Sequence, residues 1–251
     1  MNFAQLAANI YLPWKYKFRS IVRSFSREYP RQYFKFNKAK RVIFDDKNHQ
    51  NRLVNRTTLL TVEGFPRSGN SYMCKLIKEG NSSIRYKIAN HMHHPMNIII
   101  SIENDINSVC MIRKPKDAII ANVAHFLSVN KNHLSSGKLL KQKPVPSFSD
   151  VLEHYLWFYN SLFNYRSKIL FVPLADLIEN EENVLKGINS FHNLDLSYVK
   201  VDKEKAKSHM LPNHDRNKIK YELEEHFSTS SLPNLEEANL IYDQLSKPLS
   251  L

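Results

Sequence analysis

Glycine is scarce in this sequence, five residues against eleven prolines. That ratio excludes collagen-like, elastic and low-complexity chains. Cysteine is scarcer: Cys74 and Cys110 each stand in an apolar stretch and read as reduced core thiols, not as a disulfide framework. A cytoplasmic type of compartment is the expectation. Long apolar runs are missing, so no bilayer span is expected. Lys15, Lys17 and Arg19 also break the apolar core that a signal peptide needs. Acid is lacking in one region only. Residues 1–41 hold ten basic side chains and a single acid, Glu28, so they carry +9 of the net +12. The basicity therefore belongs to an N-terminal arm. The body is nearly neutral, which argues against a nucleic-acid-binding domain.

What is present suits one good-sized core: 251 residues with 42% hydrophobic content. The expected division is an arm over 1–45 and one domain over 46–251. In the arm, Phe3, Leu6, Ile10, Trp14, Phe18, Ile21 and Phe25 recur at helical spacing. Pro13 interrupts the series and opens a second helix near 13–27. Lys15, Arg19, Arg23 and Arg27 lie on its other face. Such a helix either lies on an anionic membrane surface as a peripheral contact or packs on the domain with its basic face in water.

The body alternates strand-like and helix-like segments. "TTLLTVEG" (57–64), "SIRYKIA" (83–89), "NSVCMIR" (107–113) and "KILFVPL" (168–174) read as strands. Helices are expected near 70–79, 115–127, 180–192, 217–227 and 234–246. Another follows a capping box at Ser147 and Asp150, with a stripe of Leu152, Tyr155, Leu156, Tyr159, Leu162 and Phe163. Residues 45–57 read as a linker, and 128–148 as a long loop of the kind that covers or binds ligands. The fold class expected is three-layer α/β/α with a central, mostly parallel sheet of P-loop type.

The first strand runs into "GFPRSGNSYM", residues 64–73. A strand, a glycine turn and a helix N-terminus make an anion site from backbone alone. Gly64 permits a sharp exit, Gly69 a close approach, and Ser71 offers a hydroxyl. An ATP loop needs lysine where Asn70 stands. Here the cation is Arg67, inside the loop. The third strand ends in Arg113, flanked by Lys114 and Lys116, where ATP and GTP enzymes usually place an acid for Mg²⁺. Together these suggest a nucleotide with two separated phosphates and no required metal.

"TVEGFPRSGNSYM" and "MIRKPKDAIIANVAHF" resemble the two signature segments of the sulfotransferase family, in order and spacing. The resemblance covers roughly residues 57–195. It implies binding of 3′-phosphoadenosine 5′-phosphosulfate (PAPS), with 3′-phosphoadenosine 5′-phosphate (PAP) as product. Arg67 would neutralise the bridging oxygen as the S–O bond breaks. Ser68, Gly69, Asn70 and Ser71 would cradle the 5′-phosphate, and Arg113 would hold the 3′-phosphate. The family's serine eight residues after that arginine is Ala121 here, with Asn122 the substitute. The tyrosine near the adenine is Leu174. The tail offers Arg216 or Lys218, in "NHDRNK", for the family's arginine-lysine-glycine segment.

Transfer to a hydroxyl or amine acceptor needs a base. "NHMHHP" holds three histidines, and His93, two residues before Pro95, matches the family's position; His91 and His94 are the alternatives, and Glu63 is another. His125, Phe126, Tyr155, Trp157, Phe158 and Tyr159 either line an acceptor pocket or form core. The expected activity is sulfuryl transfer from PAPS. The alternatives are an ATP-dependent kinase or NTPase, and a degenerate PAP-binding or membrane-surface scaffold.

Overall fold

Among the described residues, runs of β-branched and aliphatic residues form four short strands: β1 Leu60–Gly64, β2 Ile88–Asn90, β3 Asn107–Ile112 and β4 Leu170–Pro173. They make one sheet in the order β2-β1-β3-β4, parallel throughout. The structure, a computed structural model, describes residues 14, 17, 18, 20–43, 52–136, 141–202 and 214–247. Phe3, Leu6, Ile10 and Pro13 of the arm lie outside the described residues, as do 44–51, 137–140 and 203–213.

Parallel neighbours need crossovers, and helices supply them. α1 is Pro30–Ile43, α2 Asn70–Gly80, α3 Met96–Glu103, α4 Pro115–Ser135 and α5 Phe148–Phe163. They are followed by α6 Leu174–Glu179, α7 Glu181–His192, α8 His214–Ser228 and α9 Leu235–Ser246. Alternation along the strands divides the core in two. Leu60, Val62, Val109, Met111 and Val172 pack with Met73 and Leu76 of α2 and Leu185 and Ile188 of α7. Cys110 and Ile112 face the other way, into α3, α4, α5 and α9. The result is three layers, α/β/α.

Several elements differ from the sequence expectation. The second strand begins only at Ile88, because Ser82–Ile84 forms a 3₁₀ turn. α4 continues to Ser135, well into the segment read as a loop. α3 had no counterpart: its Ile98, Ile99 and Ile102 are strand-formers by composition but are buried as a helix. Residues 20–28 are helical as the arm's periodicity implies, and Pro30 then opens α1. α1 packs on α3, with Phe34 buried and Arg31 bidentate to Glu103 at 3.0 and 2.5 Å.

The capping box at Ser147 and Asp150 is present and starts α5. That helix carries the two hydroxyls that fasten the end of β3. Tyr155 donates to the Arg113 carbonyl and Tyr159 to the Met111 carbonyl, both at 2.9 Å.

Candidate active site

β1 crosses to β2 on one side, while β3 lies on its other side. The chain thus leaves the carboxyl ends of β1 and β3 in opposite directions, and a crevice opens between them. This is where open parallel sheets bind ligands. Gly64 ends β1 opposite Met111, and a Cβ on Gly64 would lie 2.3 Å from the Met111 oxygen. Only glycine permits so close a pairing of the two strand ends.

The loop after Gly64 is held by its own backbone. Ser68 donates its N–H to the Phe65 carbonyl at 3.2 Å, and its side chain is wholly buried. Arg67 has φ 70° and Gly69 φ 99°, both left-handed. The first bonds of α2 run from Tyr72 and Met73 to the Gly69 carbonyl. The amides of Asn70 and Ser71 precede that ladder, at the positive end of the helix dipole.

Cations gather over this loop. Arg113 donates from Nη1 to the Arg67 carbonyl at 3.2 Å. α8, packed on α4, adds Arg216 and Lys220, four residues apart on one helix face. Burial pulls the Arg67 guanidinium down to about 10, and repulsion from Arg216 and Arg113 adds to it. Lys220 is lowered by burial and then by Arg113, Arg67 and Arg216, with Asp117 opposing. The buried Arg67 Nε has no hydrogen-bond partner. An anion in the crevice would satisfy that N–H and offset the repulsion. The sequence reading named Arg216 or Lys218. Lys218 is exposed, and Lys220 was missed although its i,i+4 spacing from Arg216 was there to be read.

The three histidines separate into three environments. His93 Nδ1 lies 3.1 Å from the Gly64 carbonyl and 3.1 Å from Asn70 Nδ2, which itself donates to Gly64 at 3.0 Å. A proton on Nδ1 directed at Gly64 leaves Nε2 as the basic nitrogen. Burial lowers the His93 pKa; the Gly64 carbonyl opposes, and Arg52 and Arg67 lower it further. The neutral form of the imidazole is thereby favoured. His91 holds Ser71. Asn90 donates Nδ2–H to Ile88, so its Oδ1 accepts from His91 Nδ1, and His91 Nε2 accepts from Ser71 Oγ at 2.8 Å. His94 faces the arm: it stacks on Tyr33 at 5.2 Å, meets Trp157 edge-on at 5.1 Å, and burial pushes it down to about 4.

Glu63 shapes the histidine turn. Its carboxylate accepts from Met92 N at 2.7 Å, His93 N at 3.0 Å and Asn97 Nδ2 at 2.9 Å. Successive N–H groups closing on one anion form a nest, and His91 and His93 have the positive φ such a turn needs, 61° and 51°. Glu63 thus holds the turn that carries His93.

The remaining candidates sit as follows. Ala121 and Asn122 are both buried in α4. Leu174 opens α6 over the loop: a Cβ on Gly69 would lie 2.7 Å from its Cδ1. Tyr155, Phe158 and Tyr159 are core. Trp157 joins the His94 cluster, and His125 and Phe126 meet edge-on at partly buried positions. Among the described residues, no group of three or more His, Cys, Asp or Glu is placed to hold a metal ion.

Neither a protein-family model nor a curated protein matches this chain. Among solved structures it is similar to mouse sulfotransferase SULT7A1 complexed with PAP, over 76% of this chain and 77% of that one, with 14% identity and a TM-score of 0.40.

Proposed function

We propose that the protein transfers a sulfuryl group from PAPS to a hydroxyl or amine acceptor. The observation that carries this reading is the convergence of Arg67, Arg113, Arg216 and Lys220 on a glycine-bearing loop, with neutral His93 beside it. The crevice fits a ligand with two anionic groups. The amides of Asn70 and Ser71 and the Arg67 guanidinium suit a 5′-phosphosulfate. Arg113, with Arg216 and Lys220 nearby, suits a 3′-phosphate. The two α8 cations supply charge that the Ala121 position lacks. A leucine at 174 offers an apolar face beside Gly69 where an adenine could rest.

When bound, PAPS supplies the sulfuryl group. Arg67 would neutralise the charge left on the donor's 5′-phosphate. His93 Nε2 is the atom to receive the acceptor's proton, and Glu63 and Gly64 keep its ring in place.

Calorimetric titration with PAP and, separately, with ATP–Mg²⁺ tests this. PAP is expected to bind, and Arg113→Ala to weaken it at least about tenfold, as loss of a charge-assisted bond implies. Binding of ATP–Mg²⁺ alone would overturn the proposal in favour of a kinase or NTPase. Binding of neither would leave a scaffold. With PAP binding established, mass-spectrometric detection of sulfated product should fail in His93→Ala; unchanged turnover there would remove His93 as the base.

A further inference from the structure

The arm turns its apolar stripe outward. Trp14, Phe18, Ile21 and Phe25 follow one another at helical spacing and are 71, 67, 58 and 42% exposed. α1 adds Phe36 and Ile43, seven residues apart, at 64 and 74%. The opposite edge of the arm is what holds it to the domain. Ser26 is buried and lends its carbonyl to His94 Nε2 at 3.3 Å, while Arg27 lies 3.7 Å from Glu153 and over the ring of Trp157. The helix is therefore docked, and its most apolar face is the one left in water. Lys17 borders that face and Lys35 repeats its position on α1; Lys38 and Lys40 are also exposed, while Arg23 lies on the other side of the helix.

We propose that this face is a docking surface for an anionic lipid bilayer. The stripe supplies side chains that enter the boundary between headgroups and acyl chains, and the bordering lysines meet the headgroup phosphates and carboxylates. Charge decides between occupants. A second copy of the chain would bring two arms of +9 against each other. Nucleic acid matches the charge but offers nothing for the stripe. Among the described residues, no helix is long and apolar enough to cross a membrane, so the contact is with its surface. The arm also touches the histidine turn: Tyr33 stacks on His94, and Arg41 Nη2 lies 3.3 Å from Met92 Sδ. The bilayer contact and the turn carrying His91 and His93 are thus one connected piece. The proposal does not depend on the sulfuryl-transfer reading.

Co-sedimentation of the full chain with vesicles tests it, using phosphatidylcholine alone and phosphatidylcholine mixed with phosphatidylserine. Binding is expected only to the mixed vesicles and should weaken as salt is raised. The triple variant Trp14→Ser, Phe18→Ser, Ile21→Ser should lose at least about tenfold in vesicle affinity with an unchanged melting temperature, because the three side chains are already exposed. Lys17→Glu with Lys35→Glu should do the same. Tryptophan emission should shift to the blue on mixed vesicles in the wild type and not in Trp14→Phe. Three results would overturn the proposal. One is failure of the wild type to bind mixed vesicles. Another is a triple variant that binds as well as wild type. The third is a wild-type dimer in solution that the triple variant converts to monomer, which would assign the face to a second copy.

Discussion

Glu63 is a carboxyl group with no water around it, and its surroundings pull its proton affinity in opposite directions. Burial raises the pKa from 4.5 to about 7, against the N–H donors of Met92, Asn97 and His93, which lower it. The folded state therefore holds this proton more tightly than the unfolded chain does. Its contribution to stability is complete below 4.5 and is lost as pH rises through about 7. Urea unfolding across that window should show the wild type becoming less stable with rising pH, and Glu63→Gln should remove this component of the slope. The glutamine retains an oxygen for Met92 and Asn97 but turns an amide NH₂ toward the His93 N–H. At low pH the variant should therefore be less stable by about 1–3 kcal/mol, the cost of a buried donor left unmet. At this scale the candidate base is singled out in sequence only by its place two residues before Pro95. Nothing in the local pattern separates His91, His93 and His94. Their tasks differ because Ser71, Gly64 and Ser26, from distant parts of the chain, each meet a different ring.

The β1–loop–α2 unit depends on its two glycines for different reasons, and substitution separates them. A Cβ on Gly64 meets the backbone oxygen of Met111, which cannot move without parting β1 from β3. A Cβ on Gly69 meets the tip of Leu174, which can turn aside, and touches Met111 Cε at an ordinary 3.5 Å, so the cost there is mainly the φ of 99°. Gly69→Ala should lose about 1–2 kcal/mol, the left-handed penalty. Gly64→Ala should lose more, about 3 kcal/mol or above, as an overpacked core site does. Chemical denaturation of the two variants gives the ranking, and an equal or reversed order would contradict this account. Element types were largely legible from sequence where apolar period and punctuation agreed, as at β1, β3, β4, α5 and α7. They were not legible at α3, where an isoleucine run fits a strand or a buried helix equally well. Nor was the end of α4: polar Asn130, Lys131 and Asn132 look like loop, but helix hydrogen bonds continue beneath them.

At the scale of the whole molecule, the crevice gathers like charges that repel one another until an anion arrives. Removing one should therefore stabilise the free protein while weakening the ligand. Lys220→Ala is expected to raise stability by about 0.5–1 kcal/mol, a value reduced by solvent screening, and to weaken PAP several-fold. Thermal unfolding with and without PAP reads both effects. Wild type saturated at a hundred times Kd should gain about 2.7 kcal/mol, and the variant less at the same PAP concentration. A Lys220→Ala protein that is less stable when free and binds PAP unchanged would show that this lysine serves packing alone.

The sequence by itself determined the parallel α/β layering, the strand–glycine–helix loop with its cation at Arg67, and the second cation at Arg113. These features are local: hydrophobic period, glycine placement and residue type act over a few neighbours. Tertiary structure alone decided which cations join them. α8 folds back across α4 to bring Arg216 and Lys220 to a loop about 150 residues earlier in the chain. It also decided that the stripe of Trp14, Phe18, Ile21 and Phe25 faces water, because Ser26 and Arg27 take the domain-facing edge. Such choices follow from what each element finds to pack against, and no window of sequence contains that information. "GFPRSGNSYM" therefore marked the crevice from the start, while the arrival of Lys220, and of Arg216 in place of Lys218, was visible only after folding.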